Sequence, residues 1–174
     1  AEIERLAYHD ALTGLPNRLL LLDRLEQALA VARRSRRCGA VMFVDLDQFK
    51  RINDVHGHAV GDAVLREVAR RLAFYLRRED TVARLGGDEF VILLPDLAAE
   101  LGDAGTLAMS VAEKVRHAME TPVVVDDREF VSSASIGITL FPKDSETVDD
   151  LMREADTAMY RAKESGRNAL AYFE

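Results

Sequence analysis

At 174 residues the chain has the length of one domain, with room for a sizeable core and no need of cross-links. Hydrophobic and charged fractions of 48% and 30% are those of a globular protein, and the single cysteine, Cys38, excludes an internal disulfide framework and fits a reducing cytoplasm. A net charge of -7 argues against a nucleic-acid polymer as partner, and no apolar run reaches the roughly 18 residues of a membrane span.

Ile3, Leu6 and Ala7 give a short helical stripe, and the chain opens on Ala1 without an initiator methionine. Residues 1–9 are therefore expected to be the end of an upstream linker helix. One domain is expected over 1–174, with any membrane attachment made through flanking regions. Thr13-Gly14 and Pro16-Asn17 mark a turn, with Asn17 placed to cap a helix carrying Leu19, Leu22, Leu25 and Leu29 on one face. Arg33, Arg34, Arg36 and Arg37 close that helix, where cations complement the dipole.

The run Ala40 to Leu46 reads as a central buried strand. Asp45 lies inside it, where a lone carboxylate would be costly and a metal ion is a natural partner. Asp47 follows two residues later. His56 and His58 flank a glycine in a loop, which is a poor metal-ligand pattern. Val60, Val64, Leu65, Val68, Leu72 and Leu76 predict an amphipathic helix with Asp62 in its first turn.

Two strand-like runs, Thr81 to Leu85 and Phe90 to Leu94, enclose Gly86-Gly87-Asp88-Glu89. Two glycines between such runs predict a tight hairpin whose bare backbone an anion can approach. The two acids beside it suit a hard cation shared with substrate phosphates. A loop with Gly102 and Gly105 then leads to a helix over about 106–120, striped by Leu107, Val111, Val115 and Met119. Val123 to Val125 and Phe130 to Phe141 read as a second hairpin, its latter strand long. Thr147 and Asp150 form a capping box for a helix ending near Lys163, and Ala169 to Phe173 is a last strand. Strands joined by both helices and hairpins predict an α+β sandwich with a mixed, mostly antiparallel central sheet flanked by helices.

These motifs together resemble the GGDEF family of diguanylate cyclases. The match rests on Gly86-Gly87-Asp88-Glu89-Phe90, Asp10-x-Leu-Thr-Gly-Leu-x-Asn-Arg18, Asp45-x-Asp-x-Phe-Lys-x-Ile-Asn-Asp54, Gly57-His-x-x-Gly-Asp62 and Ala162-Lys-x-x-Gly-Arg-Asn168. The resemblance implies a fold like the palm of nucleotidyl cyclases and polymerases. It also implies condensation of two GTP into cyclic di-GMP and two pyrophosphates by a homodimer.

On that resemblance, two Mg2+ ions (Mn2+ as substitute) would sit on Asp45, Asp88, Glu89 and the Leu46 carbonyl. Glu89 is either a second metal contact or a proton acceptor. Asn53 and Asp62 would read guanine, with Phe49, His58, Gly86 and Gly87 around the nucleotide. Lys50, Lys163 and Arg167 would meet its phosphates. Arg77-x-x-Asp80, with five residues before Gly86, matches the family's inhibitory product site, for which Lys114 or Arg116 would supply a further cation. The tail Asn168 to Glu174 resembles the point where relatives continue into an EAL phosphodiesterase domain. The alternative implied is a silent module that binds GTP or cyclic di-GMP and controls such an attached domain.

Overall fold

A computed structural model describes residues 2–173. Its first half runs α1 (Glu2–Tyr8), α2 (Arg18–Ser35), β1 (Cys38–Leu46), α3 (Phe49–His56), α4 (His58–Phe74), β2 (Thr81–Gly86) and β3 (Glu89–Ala98). Its second half runs α5 (Leu101–Met119), β4 (Val123–Val125), β5 (Arg128–Phe130), β6 (Ala134–Phe141), α6 (Val148–Glu164) and β7 (Leu170–Tyr172).

The unbroken apolar run makes β1 the middle of a five-stranded sheet ordered β2-β3-β1-β6-β7. β1 pairs antiparallel with β3 and β6, and only β6 with β7 is parallel, so the sheet is mixed and mostly antiparallel. Alternation along β1 decides which helices each side chain meets. Ala40, Met42, Val44 and Leu46 join a core with α3, α4 and α5, whereas Val41 and Phe43 join one with α2 and α6. Asp45 has the parity of Val41 and Phe43, and so points to the side that α6 covers.

Local signals set several boundaries. Asn17 accepts from the Leu20 amide at 3.1 Å and starts α2, and Thr147 with Asp150 forms the complete capping box of α6. Within α2, Leu25 and Leu29 are buried as expected and Leu22 packs against the core, but in the first turn Leu21 faces the core and Leu19 is 56% exposed. α5 begins earlier than expected, at Leu101, and its glycines lie inside it; Leu107 is 46% exposed while Ala104, Ala108 and Ala112 pack inward. α4 begins at His58, which puts Asp62 beyond the first turn.

The expected long strand over Phe130 to Phe141 is divided. β5 pairs with β4 in a separate two-stranded sheet, whereas β6 pairs with β1 in the main one. The break falls at Val131 to Ser133, where Asp47 holds the chain: its amide donates to the Ser133 carbonyl at 2.7 Å, and Ser133 Oγ donates back to its carboxylate at 2.7 Å. No helix among the described residues is long and apolar enough to cross a membrane.

Candidate active site

Two strand ends and one helix build the site. Asp45, next to last in β1, stands directly across from Glu89, which begins β3. The turn joining β2 to β3 is only Gly87-Asp88, with Gly86 and Gly87 at φ of 142° and 50°, values that a side chain would oppose. Two contacts hold that turn in place. The Leu46 amide donates to the Asp88 carbonyl at 3.3 Å, which ties the hairpin to the end of β1. Arg84 reaches the Gly87 carbonyl with Nε and Nη2 at 3.0 and 2.8 Å, and with Nη1 it pairs with Asp10 at 2.9 Å. Asp10 is fixed in turn by the Thr13 amide and hydroxyl. Neither the Arg84 contacts nor their dependence on Asp10 could be anticipated from spacing, since 74 residues separate the two.

Asp45 is the electrostatic centre. Burial and the neighbouring Asp88 push its carboxyl up to about 7, against a partial offset from Lys163. Lys163 comes from α6, with Nζ 3.3 Å from the buried Asp45 Oδ1, the ion pair that partly offsets that shift. Glu89 is raised as well, by burial and by the charges of Asp156 and Asp88, with Arg18 and Lys163 opposing. These groups border a cleft of about 660 Å3 whose far wall is Asp156, Tyr160, Lys163 and Arg167. Asp156 is a site acid that the sequence reading passed over as part of a helical surface.

Among the described residues no three His, Cys, Asp or Glu side chains are gathered to hold a metal unaided. The donor set nevertheless fits Mg2+, which takes one or two carboxylates and completes its shell with phosphate oxygens and water. A buried carboxyl raised by a second carboxylate beside it is what a divalent cation would relieve. Without a cation, the folded domain holds a proton on Asp45 that the unfolded chain releases near pH 4. Stability should therefore fall as pH rises from about 4 to 7, with the full cost present above 7. Asp45→Asn should remove that component and raise stability at pH 8 by about 1–2 kcal/mol, discounted for water in the cleft. Urea unfolding of both proteins at pH 5 and 8 without divalent cations checks it; an equal gap at both pH values would refute the charge origin.

The other expected residues fall in three places. Asn53 and Asp62 lie on the α3–α4 pair, across the sheet from α6. The Asn53 amide packs against Gly61, where a Cβ would come within 2.9 Å of its Cγ, and Asn53 Oδ1 has no donor. Lys50 and His58 are exposed on the same pair, whereas the Phe49 ring is 3% exposed in the core, so it can only support the site from below. His56 packs edge-on to Phe130 at 4.8 Å, a packing role and not a ligand's.

Arg77 and Asp80 stand at the opposite end of the sheet, beside the carbonyl ends of Pro95 and Asp96. Arg77 Nη2 donates to Asp80 at 2.7 Å and to the Pro95 carbonyl at 2.6 Å. A second cleft of about 630 Å3, lined among others by Arg24, Arg37, Arg78 and Asp80, opens there between α2 and the β2–β3 hairpin. Lys114 and Arg116, the two candidates for a further cation at this site, lie two residues apart and so only about 3 Å along α5. Arg116 is engaged, with Nη1 2.9 Å from Asn168 Oδ1 and Nη2 on Glu113, whereas Lys114 is exposed.

The family model "Diguanylate cyclase, GGDEF domain" matches residues 7–169. The chain belongs to the GGDEF family. This GGDEF domain is 51% identical over 173 residues to the bifunctional diguanylate cyclase/cyclic di-GMP phosphodiesterase MucR of Pseudomonas aeruginosa, covering 99% of this chain and 24% of MucR. It superposes on the structure of an N-terminally truncated TpbB from Pseudomonas aeruginosa comprising only the GGDEF domain, with a TM-score of 0.90 at 43% identity, over 96% and 95% of the two chains. The coiled coil and GGDEF domain of DgcB from Caulobacter crescentus, solved in complex with c-di-GMP, gives a TM-score of 0.88 at 28% identity, over 98% and 88% of the two chains. The GGDEF domain thus spans about a quarter of MucR and 38% of full-length TpbB. Its five-stranded palm-like sheet with flanking helices is the fold of these neighbours.

Proposed function

We propose that this domain is an active diguanylate cyclase that condenses two GTP into cyclic di-GMP and two pyrophosphates, working as a pair of identical copies in the cytoplasm. The observation that carries the reading is the Asp45–Asp88–Lys163 group: two carboxylates forced together at the end of a buried strand, with a cation from another element beside them. Asp45, Asp88 and the Leu46 carbonyl would hold Mg2+, two ions in the family's manner, with Mn2+ as a substitute. When bound, the metal supplies charge neutralisation at the α-phosphate and acidifies the attacking 3'-hydroxyl.

The chain's own groups do the rest. Glu89, whose carboxyl is raised by burial and by its acidic neighbours, is suited to accept the hydroxyl proton. The nucleophilic oxygen then bonds to the α-phosphorus of the other GTP as the bond to pyrophosphate breaks. Lys163 and Arg167 stabilise the charge on that leaving group, with Lys50 approaching from α3. The bare Gly86-Gly87 backbone leaves room for the phosphates. The amide of Asn53 and the carboxylate of Asp62 are side chains whose chemistry suits the edge of guanine, the carboxylate accepting from N1–H and the 2-amino group. One domain presents one GTP, so two bonds require a two-fold pair. Arg77 and Asp80, with a further cation from Lys114 or Arg116, would take cyclic di-GMP as a feedback ligand, and residues 1–9 would join an upstream helix.

The test is product formation from GTP and Mg2+ across a wide range of protein concentration, separating cyclic di-GMP from linear pppGpG. Cyclic product should rise more steeply than linearly with protein. No product at the highest concentration, even with a dimerising helix fused upstream, would overturn the reading in favour of a silent binding module. In the same assay Arg77→Ala should relieve inhibition by added cyclic di-GMP while leaving the Mg2+ dependence unchanged. Unaltered inhibition would remove Arg77 from the product site.

A further inference from the structure

Asp47 is 7% exposed, yet no cation among the described residues pairs with it. Neutral donors satisfy its carboxylate instead: Ser135 Oγ at 2.7 Å on one oxygen, Ser133 Oγ at 2.7 Å and the Asn168 amide at 2.8 Å on the other. Ser132 Oγ donates to its carbonyl at 3.1 Å. The Asn168 contact spans 121 residues and lands on the turn that leaves α6.

That turn is an unfavourable one. After Gly166 closes the helix, with the Arg167 amide on the Ala162 carbonyl, the next two residues also have positive φ, 65° at Arg167 and 46° at Asn168. Asn tolerates this region, but a long side chain such as Arg does so rarely, and only when its surroundings hold it there. The surroundings are Asp47 on the Asn168 amide and, from α5, Arg116 Nη1 on Asn168 Oδ1 at 2.9 Å. Glu120 completes the grip by accepting from Asn168 Nδ2 at 2.8 Å. Arg167 is the residue this clamped turn presents to the cleft that Asp45 and Lys163 line.

We propose that Asp47 and Arg116 are positioning residues that set Arg167 against the GTP phosphates. Asp47 lies two residues beyond Asp45, so one rigid post carries both the carboxylate arm and the turn that bears Arg167. The proposal rests on the reading of Arg167 as a phosphate ligand, and the test separates the two. The probes are GTP and GMP with Mg2+, bound to the whole chain and followed by calorimetry.

Asp47→Ala should weaken GTP by about tenfold, the scale of one lost charge-assisted contact, and leave GMP unchanged because GMP lacks the β- and γ-phosphates. Asp47→Asn should stay within about threefold of the parent, because its oxygen can serve Ser133 and Asn168 while its amide donates to the Ser135 hydroxyl. Arg167→Ala should match Asp47→Ala, and the double variant should be no weaker than Arg167→Ala alone. Arg116→Gln gives a second approach should Asp47→Ala not fold, and it should lower the GTP-to-GMP affinity ratio several-fold.

Equal weakening of GTP and GMP would mean that Asp47 only holds the fold together, and additive losses in the double variant would likewise overturn the positioning role. With Asp47→Ala unfolded, an unchanged affinity ratio in Arg116→Gln would do the same. Arg167→Ala without any effect on GTP would instead overturn the phosphate assignment, and the positioning role with it.

Discussion

Asp88→Ala should lower cyclic di-GMP formation by about a thousandfold or more, with a melting temperature within a few degrees of the parent. The separation of the two effects follows from how the turn is held. The backbone of Asp88 accepts from Leu46, and Gly87 is held by Arg84, so the hairpin does not depend on the Asp88 side chain for its shape. What the side chain supplies is the second carboxylate at Asp45. Its removal also takes away one of the causes that raise Asp45, so the remaining acid ionises more readily. The variant should then keep a better-behaved folded state and lose its chemistry. Product formed at more than a tenth of the parent rate, in a folded variant, would show that Asp88 is not a cation ligand.

Gly137→Ala should have the largest effect on stability. Gly137 lies in β6 where α6 crosses, and a Cβ there would collide with the backbone of Met159 and Ala155 and come within 2.7 Å of the Ala158 carbonyl carbon. None of these can swing aside as a side-chain tip would. α6 must lift along its length, and its inner face, from Leu151 through Ala155 to Ala162, is buried. A loss of about 3 kcal/mol or more is expected, the upper part of what overpacking costs, which at this chain length is about 6–12 °C in melting temperature. Because α6 also carries Lys163 and Asp156, affinity for GTP should fall with it. Thermal unfolding followed by circular dichroism reads the first effect; a shift below 2 °C would mean that the helix can retreat freely.

Elements governed by neighbours in sequence were legible in advance. β1 was readable because a strand buried on both faces is a continuous apolar run, and the starts of α2 and α6 because their caps are local hydrogen bonds. The catalytic hairpin was readable for the same reason, two glycines between strand-like runs. Features set by distant partners were not. The end of β5 is decided by Asp47, whose partners Ser133 and Ser135 lie 86 and 88 residues away. Arg116 was legible only as a candidate cation for the product site, because its partner Asn168 lies 52 residues on. Asp156 resembled any exposed helical acid, and only the fold faces it toward Glu89. The stripes of α2 and α5 held at Leu25, Leu29, Val115 and Met119 and missed at Leu19 and Leu107, where nearby Leu21 and Ala108 turn inward instead and packing alone chooses between them.

The borders of the main sheet constrain how two such domains can meet. On one side β2 is already engaged, its Arg84 amide donating to the Pro16 carbonyl at 3.0 Å. On the other, β7 has three residues and offers little for a further strand to grip. Growth of the sheet by adding a neighbour's strand is thus hindered at Arg84 in β2 and weak along β7. On the proposed mechanism two copies would then meet cleft to cleft, through side chains and shared substrate. Such a pair could part after each turnover without breaking a ladder of backbone bonds.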